Sequence, residues 1–254
     1  MKENKPPSDF GEDLTKAYVK GEKVLKIKLD TKRLIVWLFG LTLALNFIGL
    51  VSRMIEKLLG YNDTQFVRLV DVSEEANITS WFSSALLLMA ALLLFVITRL
   101  KKIDQAPFSR HWGFLSLVFM FLSLDEAAKI HEMMIKPLRS LFHATGIFYY
   151  SWLIVAIPLV ILFAVIYMRF VFSLPNRTRN QVIAAAFLFL AGAVGFEMLG
   201  GLFYNVELSG VYLSSILVTF EELLENLGIV IFISALMTYI KQQPGWEDLI
   251  INFD

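Results

Sequence analysis

The feature that most constrains this chain is a series of apolar runs, each approaching or exceeding 18 residues and almost without charge. That is the length a helix needs to cross about 30 Å of hydrocarbon. A soluble core helix is seldom apolar on every face for so long. Charged residues make up 18% of the chain and hydrophobic residues 57%, whereas about a quarter of a soluble domain is charged. The fold class implied is all-α, a polytopic membrane bundle of about six transmembrane helices.

The spans read as residues 34–51, 80–98, 111–135, 147–170, 181–204 and 212–240. The six-helix domain therefore covers residues 34–240, between an N-terminal tail (1–33) and a C-terminal tail (241–254). The N-terminal tail is polar and lysine-rich, reads as no signal peptide, and is expected to hold a short surface helix near residues 13–28. The loop 52–79 is long enough for another amphipathic helix. No internal repeat relates the two halves.

Basic residues set the expected orientation. Lys32 and Arg33 precede span one, Arg99, Lys101, Lys102 and Arg110 separate spans two and three, and Arg169, Arg177 and Arg179 separate spans four and five. The alternate loops are poorer in bases for their length, so both termini are expected on the cytoplasmic side. The formal net charge is zero, which suggests no nucleic-acid partner. There is no cysteine, which excludes disulfides, thiolate metal sites and cysteine nucleophiles.

The residues that bear on chemistry lie within the spans. Span three holds Asp125, Glu126, Lys129, His131 and Glu132; span five holds Glu197; span six holds Glu221, Glu222 and Glu225. A rise of about 1.5 Å per residue puts Asp125 roughly 21 Å and Glu197 roughly 24 Å above the cytoplasmic edge. It puts Glu221 roughly 13 Å and Glu225 roughly 20 Å below the outer one. The seven acids thus read as one slab from about the midplane to the outer surface, where Lys129 is the one fixed base. Each central charge costs about 2.5–3.5 kcal/mol to insert, so six uncompensated ones would cost on the order of 15–20 kcal/mol. Bound cations, bound protons or water must offset that cost.

Each residue also has a plainer reading. Asp125, Lys129 and Glu132 fit one helical stripe and an intrahelical ion-pair ladder. Glu221 and Glu225 also share a stripe, but span six has no base to answer them. A single histidine near an interface is often only a structural hydrogen-bonding group. Gly192, Gly195, Gly200 and Gly201 are spaced for close helix contact, and Trp37, Trp81, Trp112 and Trp152 sit near span ends as interface anchors. Asn46 is a polar partner within span one. Glu74, Glu75 and Asn77 lead into span two as loop residues within reach of the acids.

The motifs Ser123-Leu124-Asp125-Glu126 with His131-Glu132, Gly195-Phe196-Glu197, and Glu221-Glu222 with Glu225-Asn226 and Gly228 resemble a widespread bacterial multipass membrane family without an assigned activity. The resemblance spans residues 70–240 and implies location in a bacterial inner (plasma) membrane, with no chemistry attached. The ferritin-like di-iron pattern is absent, because Ala128 rather than a glutamate precedes His131 by three residues.

The leading expectation is a metal-dependent membrane enzyme acting on a lipid or other amphiphile. Asp125, Glu132, Glu197, Glu221, Glu222 and Glu225 would be ligands of a divalent ion (Mg, Mn, Ca, Fe or Zn), and Glu126 and His131 the catalytic acid and base. A cation or proton transporter is the first alternative, though the inner ends of spans five and six carry no acids for the second half of a path. A non-catalytic sensor or assembly factor is the second. The partners expected are the bilayer and an amphiphilic substrate, with homo-oligomerisation left open.

Overall fold

A computed structural model describes residues 14–19, 22–27, 30–59, 77–203, 210–243 and 246. Strands β1 (Leu14–Val19) and β2 (Glu22–Ile27) form an antiparallel hairpin, with Val19 paired to Glu22 and Leu14 to Ile27. The surface helix expected near residues 13–28 is therefore absent. Thr15, Tyr18, Val19, Val24 and Ile27 favour extended backbone.

The rest of the described chain is helical: α1 (Thr31–Leu59), α2 (Ile78–Ile103), α3 (Ser109–Ala128), α4 (Ile130–Phe142), a short 3₁₀ turn (Gly146–Phe148) and α5 (Leu153–Ser173). Then come α6 (Asn176–Leu190), a π-helical turn (Ala191–Phe196), α7 (Glu197–Phe203) and α8 (Gly210–Lys241). Five spans among the described residues are long and apolar enough to cross a membrane: α1, α2, α5, the continuous α6–π–α7 unit, and α8. The chain is an integral membrane protein. The third expected span, 111–135, is not one helix: α3 stops at Ala128, and its acidic end lowers its hydropathy below that of the other five.

Local chemistry explains where the helices begin and end. Asn77 caps α2, accepting the Ser80 backbone N–H, while the Ser80 hydroxyl answers the Asn77 N–H. Lys101 and Lys102 lie in the last turn of α2, where they oppose the helix dipole. Pro158 sits inside α5, a position membrane helices tolerate.

Helices α2 and α3 run antiparallel along each other, with small polar side chains replacing apolar contact at three levels. Ser84 and Ser123 each donate to the other's carbonyl, at 2.8 and 2.9 Å. Ser116 donates to Ala91 O, and a Cβ on Gly113 would meet Thr98 at 3.2 Å. Such pairings hold helices together where lipid gives no hydrophobic drive.

Helix α8 is the axis of the bundle, packing against α1, α2, α6, the π turn and α7. Its partner α1 turns a polar seam toward the interior (Thr42, Asn46, Ser52), and Arg53 donates to Ser215. On α8 the apolar core is displaced to the C-terminal half. Leu86, Leu94 and Ile97 of α2, Trp112 of α3, Phe170 of α5 and Ile229, Ile233 and Leu236 of α8 form it. On α8 every core residue lies C-terminal to Asn226, and Glu221, Glu222 and Glu225 lie N-terminal to it. The bundle therefore has a dry end and an acidic end.

Candidate functional site at the acidic end

The junction between α3 and α4 sets the geometry. Lys129 adopts the left-handed conformation (φ 50°, ψ 46°), which no α-helix can continue through. The chain turns there, and Asp125 reaches across to the new helix. Its Oδ1 accepts the His131 backbone N–H at 2.8 Å, and its Oδ2 lies 2.7 Å from His131 Nδ1. The backbone bond satisfies one of the donors that the start of α4 leaves without an intrahelical partner. A carboxylate only accepts, so in this pairing Nδ1 carries the proton and Nε2 is the open ring nitrogen.

The expected Asp125–Lys129–Glu132 ladder is corrected by the same turn. Lys129 does pair with Glu132 at 3.1 Å, but Glu132 is 41% exposed, so the bond contributes little. Asp125 is turned to His131 instead.

Glu197 opens α7 directly after the π turn and is buried. It accepts the Trp152 indole N–H at 2.8 Å. The Trp152 ring in turn lies 5.0 Å from the His131 ring, tilted by 54°. Asp125, His131, Trp152 and Glu197 thus form one continuous run across four segments: α3, α4, the residue before α5, and α7. Trp152 was expected as an interface anchor, and so was Trp112, which is fully in the core. The signal that could have found Trp152 is its indole N–H, which must find an acceptor once buried. Trp37 and Trp81, by contrast, are largely exposed and fit the anchor role.

Two close approaches hold this end together. A Cβ on Gly201 would lie 2.7 Å from Gly146 O, so α7 presses on the 3₁₀ turn. Arg139 stacks on the Tyr149 ring at 3.7 Å and donates to the Tyr149 carbonyl, and Ser151 donates to Ile135 O. Gly192 makes the second approach: a Cβ there would lie 2.7 Å from Glu221 O and 2.8 Å from Glu225 Cγ. The π turn therefore lies directly on α8 at its acids. Gly200 approaches Tyr150, while Gly195 has nothing within 4 Å and does not serve the contact expected of it.

The charged neighbours of Glu225 are Glu222, Glu221, Glu126 and Glu197. Those of Glu221 include Glu197, Glu222, Glu126 and Glu132, and those of Glu222 include Glu126 and Lys129 besides Glu221 and Glu225. Glu126 faces His131, Lys129, Asp125 and Glu132. Among the described residues, Glu126, Glu221, Glu222 and Glu225 make no hydrogen bond and no ion pair. Asn226, next in sequence and 1% exposed, leaves its Oδ1 without a donor, as does buried Asn46 on α1. The sequence expectation of a formed ligand shell is not met, however. Among the described residues no three Asp, Glu or His side chains are grouped closely enough to hold a metal ion. Glu74 and Glu75 lie outside the described residues, and Asn77 serves as the cap of α2.

The fold and these residues define an α-helical multipass membrane protein with ionisable side chains at one end of its interior. Residues 35–240 match the family model described as Domain of unknown function (DUF8692), and the chain belongs to that family. No curated protein and no solved structure matches the chain.

Proposed function

We propose that the acidic end binds a divalent cation and that the protein is a metal-dependent membrane enzyme acting on a lipid or other amphiphile. One observation carries the reading: Glu126, Glu221, Glu222 and Glu225 are mutual electrostatic neighbours that lack any internal hydrogen bond or ion pair among the described residues. Within a bilayer such a group needs positive charge. Oxygen-rich ligand sets of this kind suit Mg²⁺, Mn²⁺ or Ca²⁺, and His131 Nε2 would extend the choice to Fe or Zn. Side-chain rearrangement of Glu221, Glu222, Glu225 and Glu126 on binding is part of the proposal, since no three acidic or histidine side chains among the described residues are already grouped around an ion.

The Asp125–His131 pair supplies the second element. A carboxylate that fixes one ring nitrogen orients the other as a general base or a metal ligand. Glu197, buried and held by Trp152, is a charged neighbour of that ring. The dry end of the bundle, where Ile233 and Leu236 are fully buried, weighs against a through-path for ions. With the 20-residue α3 as a sixth crossing, the basic bias of alternate loops favours two cytoplasmic termini, and the site then lies in the outer leaflet half of a bacterial plasma membrane.

The test is thermal unfolding of detergent-purified protein with and without EDTA. EDTA is expected to lower Tm, one of Mg²⁺, Mn²⁺, Ca²⁺, Fe²⁺ or Zn²⁺ to restore it, and Glu225→Gln to abolish the response. A Tm indifferent to EDTA and to all five ions would overturn the cation reading.

A further inference from the structure

Helix α4 (Ile130–Phe142) has no role in the reading above beyond carrying His131. It has 13 residues, about 20 Å of helix, which is too short to cross hydrocarbon. It follows α3 at the acidic end and leads, through the 3₁₀ turn, into the membrane-spanning α5. Both flanking helices therefore confine it to the boundary between lipid and water.

Its side chains divide three ways around the helix. Ile135, Leu138 and His131 are half-buried, with Arg139 on the same side held by Tyr149. Met133, Pro137 and Leu141, four residues apart in succession, form an exposed apolar row with Met134 beside it; Met133 is 72% and Leu141 70% exposed. Lys136 and Ser140 are exposed on the remaining side. An apolar row beside a short polar row, roughly parallel to the helix axis, is the pattern of a helix lying in the membrane plane.

We infer that α4 is an interfacial helix whose Met133–Pro137–Leu141 row is immersed in the head-group/acyl boundary of the leaflet at the acidic end. Lys136 then reaches back to the head groups, as long basic side chains do at such boundaries. Because His131 stands on the first turn of α4, the depth of this helix sets the height at which the Asp125–His131 pair meets the leaflet. The inference does not depend on the cation reading.

The absence of cysteine makes the test direct. Single variants Met133→Cys, Lys136→Cys, Ser140→Cys and Leu141→Cys are spin-labelled in the full chain, reconstituted in vesicles of phosphatidylethanolamine and phosphatidylglycerol. Ile161→Cys on lipid-facing α5 marks the hydrocarbon, and each variant is first required to match the wild-type elution profile and Tm. Collision rates with oxygen and with a water-soluble nickel chelate then report depth. Labels at 133 and 141 are expected to favour oxygen several-fold more than labels at 136 and 140. Equal, nickel-dominated collision at all four positions would overturn the inference. So would protection of 133 and 141 from both reagents, the signature of a second copy or another protein covering the row.

Discussion

Replacing Gly192 by alanine tests whether the π turn sits on α8 as described. The added Cβ would lie 2.7 Å from Glu221 O and 2.8 Å from Glu225 Cγ, and the first of these is backbone. The two segments must separate by about 0.7 Å to restore an ordinary 3.4 Å contact. Overpacking of this kind costs about 1–3 kcal/mol. For a chain of this size each kcal/mol lowers Tm by about 2–4 °C, so a cost near 2 kcal/mol predicts a fall of about 4–8 °C. Gly195, three residues on in the same turn, is the control: nothing lies within 4 Å of its Cβ. Gly195→Ala should be neutral, or stabilising by up to about 1 kcal/mol through reduced backbone entropy. The assay is intrinsic tryptophan fluorescence during heating in detergent. Equal Tm values for the two variants would refute the packing of the π turn on α8.

Trp152→Phe removes the indole donor from buried Glu197 and should cost about 1.5–3 kcal/mol, whereas Trp81→Phe at a lipid-exposed position should change Tm little; comparable losses would contradict the assigned pairing. A double-mutant cycle on Ser84→Ala and Ser123→Ala should return a coupling of about 0.6 kcal/mol, the average for interhelical bonds in membranes, and zero coupling would unmake the reciprocal pair. A reporter fused after Lys241 should be cytoplasmic and one in segment 60–76 external; an external C-terminus would invert the placement of the acidic end.

Much of the fold was legible because hydrophobic run length is a strong signal in a membrane protein: every predicted span overlaps a helix. The break at Lys129 was not, since nothing in Ala127-Ala128-Lys129-Ile130 marks a stop; no glycine or proline stands there, and the left-handed turn is fixed by tertiary contacts such as Asp125 to His131. That break turned Asp125 to His131, so the plainer ladder reading of Asp125, Lys129 and Glu132 survives only as the Lys129–Glu132 pair. The hairpin at the N-terminus was missed because its strands carry lysines that also suit a surface helix. Rise along the helices was enough to expect the acids of α8 near Glu197, and Glu221 and Glu225 do have it as a charged neighbour. Trp152 was hidden because aromatic residues near span ends usually face lipid, and only a three-dimensional partner distinguishes the exception.

The most direct measurement is the metal content of protein purified without chelator and washed free of loose ions, determined by mass spectrometry of the ions per chain. The proposed function predicts at least one stoichiometric divalent metal in the wild type, lost in Glu221→Gln and Glu225→Gln but kept in Ser140→Ala. Folded wild-type protein without stoichiometric metal, taking up none of Mg²⁺, Mn²⁺, Ca²⁺, Fe²⁺ or Zn²⁺ on equilibrium dialysis, would contradict it.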